Sequence, residues 1–339
     1  MLKTLCTLCG TSGREENIRA FLLSQMPEDV TTKVDAMGNL YVYKKGRERA
    51  KNKVMLFSHM DEVGLIITYI RDDGFLKFSA VGGIDERVVF GKAVKVGEQG
   101  ISGVIGGKAI HQIPKDQRND VPKFEDMVID IGARSKAEAE KYVSLGDNAY
   151  FDADFVSFGD GYYKSKAIDD RAGNLVMLDM IKSDLPYDLS FCFTVQEEIG
   201  TRGATAAAYL EKPDYALVLE STTAADLPDV EDYKKVCKVG DGVVVSFMDG
   251  GTVYDHALYK KAREIAEEKG IPCQTKTRIA GGNDAAAIHK AAGGIKTLAL
   301  SIPCRYLHSP SSVAQQKDID SMHALAMALS EEFAHAESH

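Results

Sequence analysis

Two carboxylates, Glu197 and Glu198, stand side by side where a mostly apolar run, Leu189 to Val195, gives way to a glycine-bearing turn. The run LSFCFTV lacks the apolar/polar alternation of a half-exposed strand and reads as a strand covered on both faces. Such strands belong to α/β sheets, whose ligand sites gather outside the carboxyl ends of the strands. Three more apolar runs end in the same kind of chemistry. Val54 to Phe57 leads into Ser58-His59-Met60-Asp61-Glu62, residues 214 to 221 carry Glu220, and residues 297 to 309 lead through a short loop to His308.

Together with Asp169, which opens a helical pattern, these ends assemble His59, Asp169, Glu198, Glu220 and His308. Imidazole nitrogen and carboxylate oxygen are the donors that hold zinc and similar divalent ions. Five such ligands are too many for one tetrahedral catalytic ion with an open position. They suit two ions if one carboxylate bridges and a water completes both shells. Charge gives the same count, since three carboxylates and one hydroxide neutralise two dications, and a near-neutral site is tolerable in an interior. Two ions roughly 3.5 to 4 Å apart can lower the pKa of water and polarise a carbonyl together. Glu197 is then spare, free to take a proton from the attacking water and return it to a leaving amine. Asp61 lies two residues after His59, on the same face of a strand, where it can orient the ring through its second nitrogen.

The elements around these residues bound the rest. A chain of 339 residues, 45% hydrophobic and 27% charged, is long enough for one large core and a smaller one. A net charge of −9 without any Lys/Arg-rich block excludes a nucleic-acid footprint. No apolar run approaches the roughly 20 residues that span a bilayer, and the amino end is too soon interrupted by polar residues for a signal peptide, so no membrane association and a cytoplasmic location are expected. The six cysteines are then expected to be free thiols. Cys6 and Cys9 form a C-x-x-C without a βαβ context or a second Cys/His pair, and are read as packing residues beside Leu2, Leu5 and Leu8.

Helical patterns begin at Asp169, run over residues 256 to 271 with Gly270 as the stop, and open near Asp318 or Asp320 toward the carboxyl terminus. Alternating with the apolar runs, they predict an α/β core formed by residues 1–65 and 159–339. Residues 66–158 have a different texture: short β-type pieces between glycine-rich or charged turns, one helical stretch in SKAEAEKYVS, and the polar loop KDQRNDVPKFED. They predict a β-rich insertion or barrel. Of the remaining histidines, His111 reads as a surface or structural residue of the insertion, and His289 and His323 as packing or surface residues of helices. His256, His335 and His339 join no constellation. The turn Gly281-Gly282-Asn283-Asp284-Ala285 reads as a cap for the helix that follows.

In sequence order, His59 to Gly64, Ala167 to Gly173, Gln196 to Gly200 with Gly203-Ala204, and Tyr306 to Ser309 resemble the signature series of the dinuclear metal aminopeptidases related to glutamyl aminopeptidase and tetrahedral aminopeptidase. The likeness runs from GTSGREENIR, residues 10 to 19, to the last helix. It implies a phosphorylase/hydrolase-like α/β sandwich with a mixed central sheet, interrupted by a small PDZ-like β-barrel that serves oligomerisation. It also implies roles: His59 and Glu220 on one metal, Glu198 and His308 on the other, Asp169 bridging, Glu197 as general base, Asp61 orienting, and a cis peptide between Asp169 and Asp170. Gly282, Asn283 and Asp284 match a family loop near the substrate. Glu220 departs from the pattern, in which aspartate is frequent. The expected activity is hydrolysis of the amino-terminal residue of peptides through a metal-bridging hydroxide, with zinc or cobalt as the ions. The expected assembly is dimers forming a tetrahedral dodecamer.

Two other readings stay open on the residues alone. One is another hydrolase on the same scaffold, a carboxypeptidase or deacylase, which would need an arginine for a substrate carboxylate. The other is a non-catalytic, metal-stabilised peptide-binding module, against which Glu197 argues because it has no evident part in holding metal. The absence of tryptophan removes a sugar-stacking platform.

Overall fold

The computed structural model describes residues 1–337, so His339 lies outside it. Every residue of the strand Val54–His59 is buried, which requires cover on both faces of the sheet it belongs to. That sheet has eight strands in the order 30–34, 40–44, 189–194, 54–59, 215–223, 296–304, 243–245 and 273–275. The four central strands, Leu189–Thr194, Val54–His59, Tyr215–Thr223 and Lys296–Cys304, run parallel. Antiparallel pairings at both flanks make the sheet mixed. The apolar runs are thus buried parallel strands.

Register places the chemistry. Thr194 pairs with His59, so the chain leaves the strand Leu189–Thr194 beside His59. Val218 pairs with Phe57, each two residues ahead of Glu220 and His59, which sets those two side chains level. The helix Ile168–Lys182 packs along the strands carrying His59 and Glu220, and the terminal helix Gln316–His335 packs against it. Ala172, Val176, Met177, Met180 and Ile181 of the former are all buried in the main core.

Asp169 and Asp170 precede the regular part of that helix with non-helical dihedrals, and the peptide bond between them is cis, as the resemblance implied. The terminal helix starts at Gln316, ahead of the expected acidic cap. Asp318 is engaged elsewhere, its carboxylate accepting the backbone N–H groups of Gly240 at 2.8 Å and Gly242 at 2.7 Å. The helix His256–Glu268 is capped by Asp255 Oδ1, which accepts from Ala257 N at 2.7 Å, and Gly270 beyond it has φ +64°. All six cysteines are unpaired; Cys6 is buried in the main core, and Cys9 Sγ accepts from Asn17 Nδ2 at 3.0 Å.

A closed six-stranded barrel interrupts the α/β unit, with strands Gly64–Ile70, Leu76–Val81, Val128–Asp130, Ile101–Gly106, Ala93–Val96 and Asn148–Phe151 in that order. It has its own core, including Leu65, Ile67, Val94, Ile105, Ile129 and Phe151. The barrel strands begin at Gly64 and end at Phe151. The piece ADFVSFG, expected within the insertion, instead supplies Val156–Phe158 to a separate three-stranded sheet with Tyr162–Ser165 and Ser312–Gln315. Its partners come from the α/β unit, and a short apolar piece carries no mark of which sheet edge it will join. Residues 115–126 hold two short 3-10 turns and are largely exposed.

Candidate metal centre

The strand ends converge on one carboxylate. Asp169 Oδ1 lies 3.3 Å from His59 Nε2, and its Oδ2 lies 3.4 Å from His308 Nε2. Glu220 Oε1 sits 3.3 Å from the same nitrogen of His59, and Glu198 Oε2 sits 3.2 Å from that of His308. Asp169 therefore stands between two histidine-glutamate pairs. All five residues proposed from sequence come together, each contributing from a different segment.

The other ring nitrogens are tied to carbonyls. His59 Nδ1 is 3.1 Å from the backbone oxygen of Asp61, and His308 Nδ1 is 2.7 Å from that of Gly83, which lies in the barrel portion of the chain. A hydrogen on Nδ1 donated to the carbonyl leaves the Nε2 lone pair directed at the acids, the tautomer a metal ligand requires. This is a difference from the sequence reading, which gave His59 the Asp61 carboxylate; that group is 3.5 Å away. The Asp61 carboxylate instead organises the turn holding the paired glutamates. Its Oδ1 accepts from Glu197 N at 3.0 Å, and its Oδ2 accepts from Glu198 N at 3.1 Å and Ser12 Oγ at 2.6 Å.

Electrostatics describe a surplus of buried acid. Among the described residues, Asp169, Glu198 and Glu220 form ion pairs with histidine and with no lysine or arginine. Burial pushes the Glu198 carboxyl up to about 8, with the Asp169 charge adding to it. Burial likewise drives Glu220 and Glu197 well above the usual carboxylate range, helped by Asp169 for the first and by Asp284 and Glu198 for the second. Burial opposes the protonation of His308, yet Asp169 and Glu198 raise its pKa to about 9. At Asp169 burial is overcome by His308 and His59, which hold it below its ordinary value. A site that draws protons onto imidazole and carboxylate alike lacks positive charge, which a divalent cation would supply. The donor set fits them, and the groupings His59–Asp169–Glu198 and His59–Asp170–Glu220 each converge closely enough to hold an ion.

Backbone conformation is unusual at the same places. Ala167, Gln196, Tyr306 and His308 all have φ between 53° and 57°, a left-handed region costly for residues with a Cβ. Each stands within two positions of a clustered side chain or carries one. A cleft of about 160 Å³ opens on the cluster, lined by Glu197, Glu198, Glu220, Lys276 and His308 together with Gly281, Gly282 and Asn283. Asn283 is buried; its Oδ1 accepts from Ala285 N at 2.8 Å, the capping role read from sequence, and its Nδ2 reaches Tyr254 Oη at 3.2 Å. Asp284 turns into the core, where Thr194 Oγ1 donates to it at 2.6 Å.

Sequence reasoning missed three groups. Asp170 is fully buried and accepts from the Ser58 hydroxyl and from Gly173 N at 3.1 Å, while Asn174 clamps Ser58 Oγ and the His59 carbonyl at 2.6 and 2.8 Å. Lys166 donates to both oxygens of Glu62 at 2.6 and 2.7 Å and to Leu8 O at 3.0 Å, tying the amino-terminal segment to the site. Lys276 was also passed over. The run Ala167 to Gly173 held the signal for Asp170; for the lysines only the fold reveals a position.

With four segments meeting at a shared carboxylate, the relation to known proteins is decided by a family match. Residues 38–325 match the M42 glutamyl aminopeptidase family. The chain belongs to that family. A protein of Acetivibrio thermocellus, provisionally named an aminopeptidase, is 41% identical over 94% of both chains. The lysyl aminopeptidase of Pyrococcus furiosus is 30% identical over 98% of this chain and 96% of its own. The TET1 peptidase of Pyrococcus horikoshii, described as assembling into a tetrahedron or a large octahedral shell, superposes with a TM-score of 0.85 at 36% identity over 97% of this chain and 98% of that one. The M42 membership supports aminopeptidase chemistry, and the expected fold, a mixed-sheet α/β unit with a closed barrel, is the one observed.

Proposed function

We propose that this M42 protein removes the amino-terminal residue of peptides with the aid of two divalent ions, zinc or cobalt, per chain. The observation that carries the reading is the placement of Asp169, with its two oxygens facing the Nε2 atoms of two different histidines. His59 and Glu220 would hold one ion, His308 and Glu198 the other, and Asp169 would be shared. Bound there, the ions supply the charge that acidifies water and polarises a peptide carbonyl. Glu197, whose carboxylate lines the cleft without a part in the cluster, would accept the proton of the attacking water and deliver it to the departing amine nitrogen. Asp61 acts through the backbone, holding the amides of Glu197 and Glu198 so that one side chain faces the cluster and the other the cleft. Gly282 and Asn283, which line the cleft, would border the bound peptide; Asp284, expected from sequence to join them, is instead turned into the core against Thr194 and would only hold their turn in place.

The insertion, residues 66–158, would serve self-association, with dimers building toward a tetrahedral dodecamer. Action in the cytoplasm accords with six unpaired cysteines.

The test compares aminoacyl-p-nitroanilides with their amino-blocked counterparts on protein stripped by chelator and refilled with zinc or cobalt. Metal-dependent cleavage of the free-amine substrates alone is expected. Glu197→Gln is expected to retain both ions by elemental analysis while turnover falls by about 10² or more, the usual worth of a positioned proton carrier. Unchanged turnover in that variant removes Glu197 from the role.

A further inference from the structure

Lys276 follows the edge strand Cys273–Thr275 and lines the cleft with Glu197, Glu198 and Glu220. The residue is only 5% exposed. An ammonium withdrawn from water costs free energy unless a partner replaces the lost hydrogen bonds. Lys166, almost fully withdrawn from water, has such partners in Glu62 and Leu8 O. Lys276 Nζ has no hydrogen bond or ion pair among the described residues. The carboxylates whose charge reaches it are engaged elsewhere. Asp249 accepts from Gly251 N and Thr252 N, both at 2.8 Å, and from Tyr254 Oη at 2.5 Å, while Glu220 faces His59. Ser221 lines the same cleft, and its hydroxyl is likewise buried without a partner. A positive charge with no partner among the described residues and a buried hydroxyl without one, both walling one cleft, form a receptor for an anion carried by the ligand.

We propose that Lys276 selects peptides by pairing with a substrate carboxylate. The inference deepens the aminopeptidase reading and rests on it for the identity of the ligand as a peptide. Two parts of a short peptide carry that group: an acidic side chain on the amino-terminal residue and the free carboxyl terminus of a dipeptide. Family membership does not choose, since relatives are named for both glutamyl and lysyl substrates.

The test measures acid-to-amide ratios. Glutamyl- and glutaminyl-p-nitroanilide differ only at the side chain, and alanyl-alanine and alanyl-alaninamide only at the carboxyl terminus. In the wild type the acid member of one pair is expected to have the higher kcat/KM by at least about tenfold, the size of one charge-assisted hydrogen bond. Lys276→Met should bring that ratio to near one, and Lys276→Glu should invert it. The pair that responds identifies the carboxylate. Calorimetric binding of glutamate against glutamine, and of the dipeptide against its amide, reads the same discrimination in metal-loaded Glu197→Gln protein without turnover. If no peptide is cut but acid ligands bind more tightly in a Lys276-dependent way, the aminopeptidase reading fails and the assignment of Lys276 stands. Acid-to-amide ratios that neither Lys276 variant alters, in rate or in binding, overturn the assignment.

Discussion

A single carboxylate can organise a site without touching its ligand, and Asp61 does so by accepting the amides of both Glu197 and Glu198. In Asp61→Asn one oxygen remains to accept, and the new NH₂ meets an N–H that has lost its acceptor. We expect about 1–3 kcal/mol of lost stability in urea denaturation. A fall in kcat larger than any rise in KM is also expected, because the turn carrying Glu197 loosens while the cleft keeps its shape. A variant with wild-type kcat and stability would show that the turn holds itself. Asp61 was legible in the sequence as part of a His-x-Asp at a strand end, but its contact was not. A hydrogen bond to the next turn's amides depends on register between the strands Val54–His59 and Leu189–Thr194, which residue types do not disclose. The same holds for His308, whose Nδ1 partner is a carbonyl of Gly83; every residue has a carbonyl, so nothing in the sequence marks that one.

At the scale of elements, the helices hold the strand ends in place, and two close approaches show how. Gly203 stands in the first turn of the helix Arg202–Glu211, against the end of the strand Leu189–Thr194; a Cβ there would lie 2.4 Å from both the Val195 carbonyl and the Asn39 side-chain oxygen. Backbone cannot yield as a flexible side chain does, so Gly203→Ala should cost about 1–3 kcal/mol in thermal or urea unfolding and displace the glutamate turn. The second is Asp318, buried at the start of the terminal helix. Burial pushes its carboxyl from 3.8 up to about 6 against the pull of the Gly240 and Gly242 amides. The folded state then binds this proton more tightly than the unfolded chain does. Stability from this group is fully present below about pH 4, declines as pH rises toward 6, and is level above. The whole change is about 3 kcal/mol. Unfolding free energies of wild type and Asp318→Asn, measured from pH 4 to 7, should diverge across that window and run parallel above it; a constant difference would mean that Asp318 does not titrate there. The parallel strands were legible because unbroken apolar runs have few other readings. The role of Asp318 was not, since an acid near a helix start looks the same whether it caps its own helix or holds a distant glycine loop.

For the whole molecule, the question is why a hydrolytic site should be built against an inserted barrel. His308 carries the answer: its ring is held by Gly83, so the barrel portion helps to orient a proposed metal ligand of the α/β unit. The barrel also exposes apolar side chains that its own core does not use, Phe90, Val104 and Ile110 among them. Val104 points outward while its neighbour Ile105 fills the barrel core, as strand alternation requires. If these residues are covered by another copy, assembly and the His308 orientation are mechanically linked through one small unit. Light scattering should then give a mass that is a multiple of the 36.9 kDa chain. Val104→Asp combined with Ile110→Asp should lower that mass, because burying two carboxylates at an interface costs several kcal/mol. The smaller species should show reduced kcat/KM with metal content preserved, if only the ring orientation relaxes. A protein that is monomeric as wild type would remove the interface, and a dissociated variant with full activity would show that the Gly83 contact survives without it.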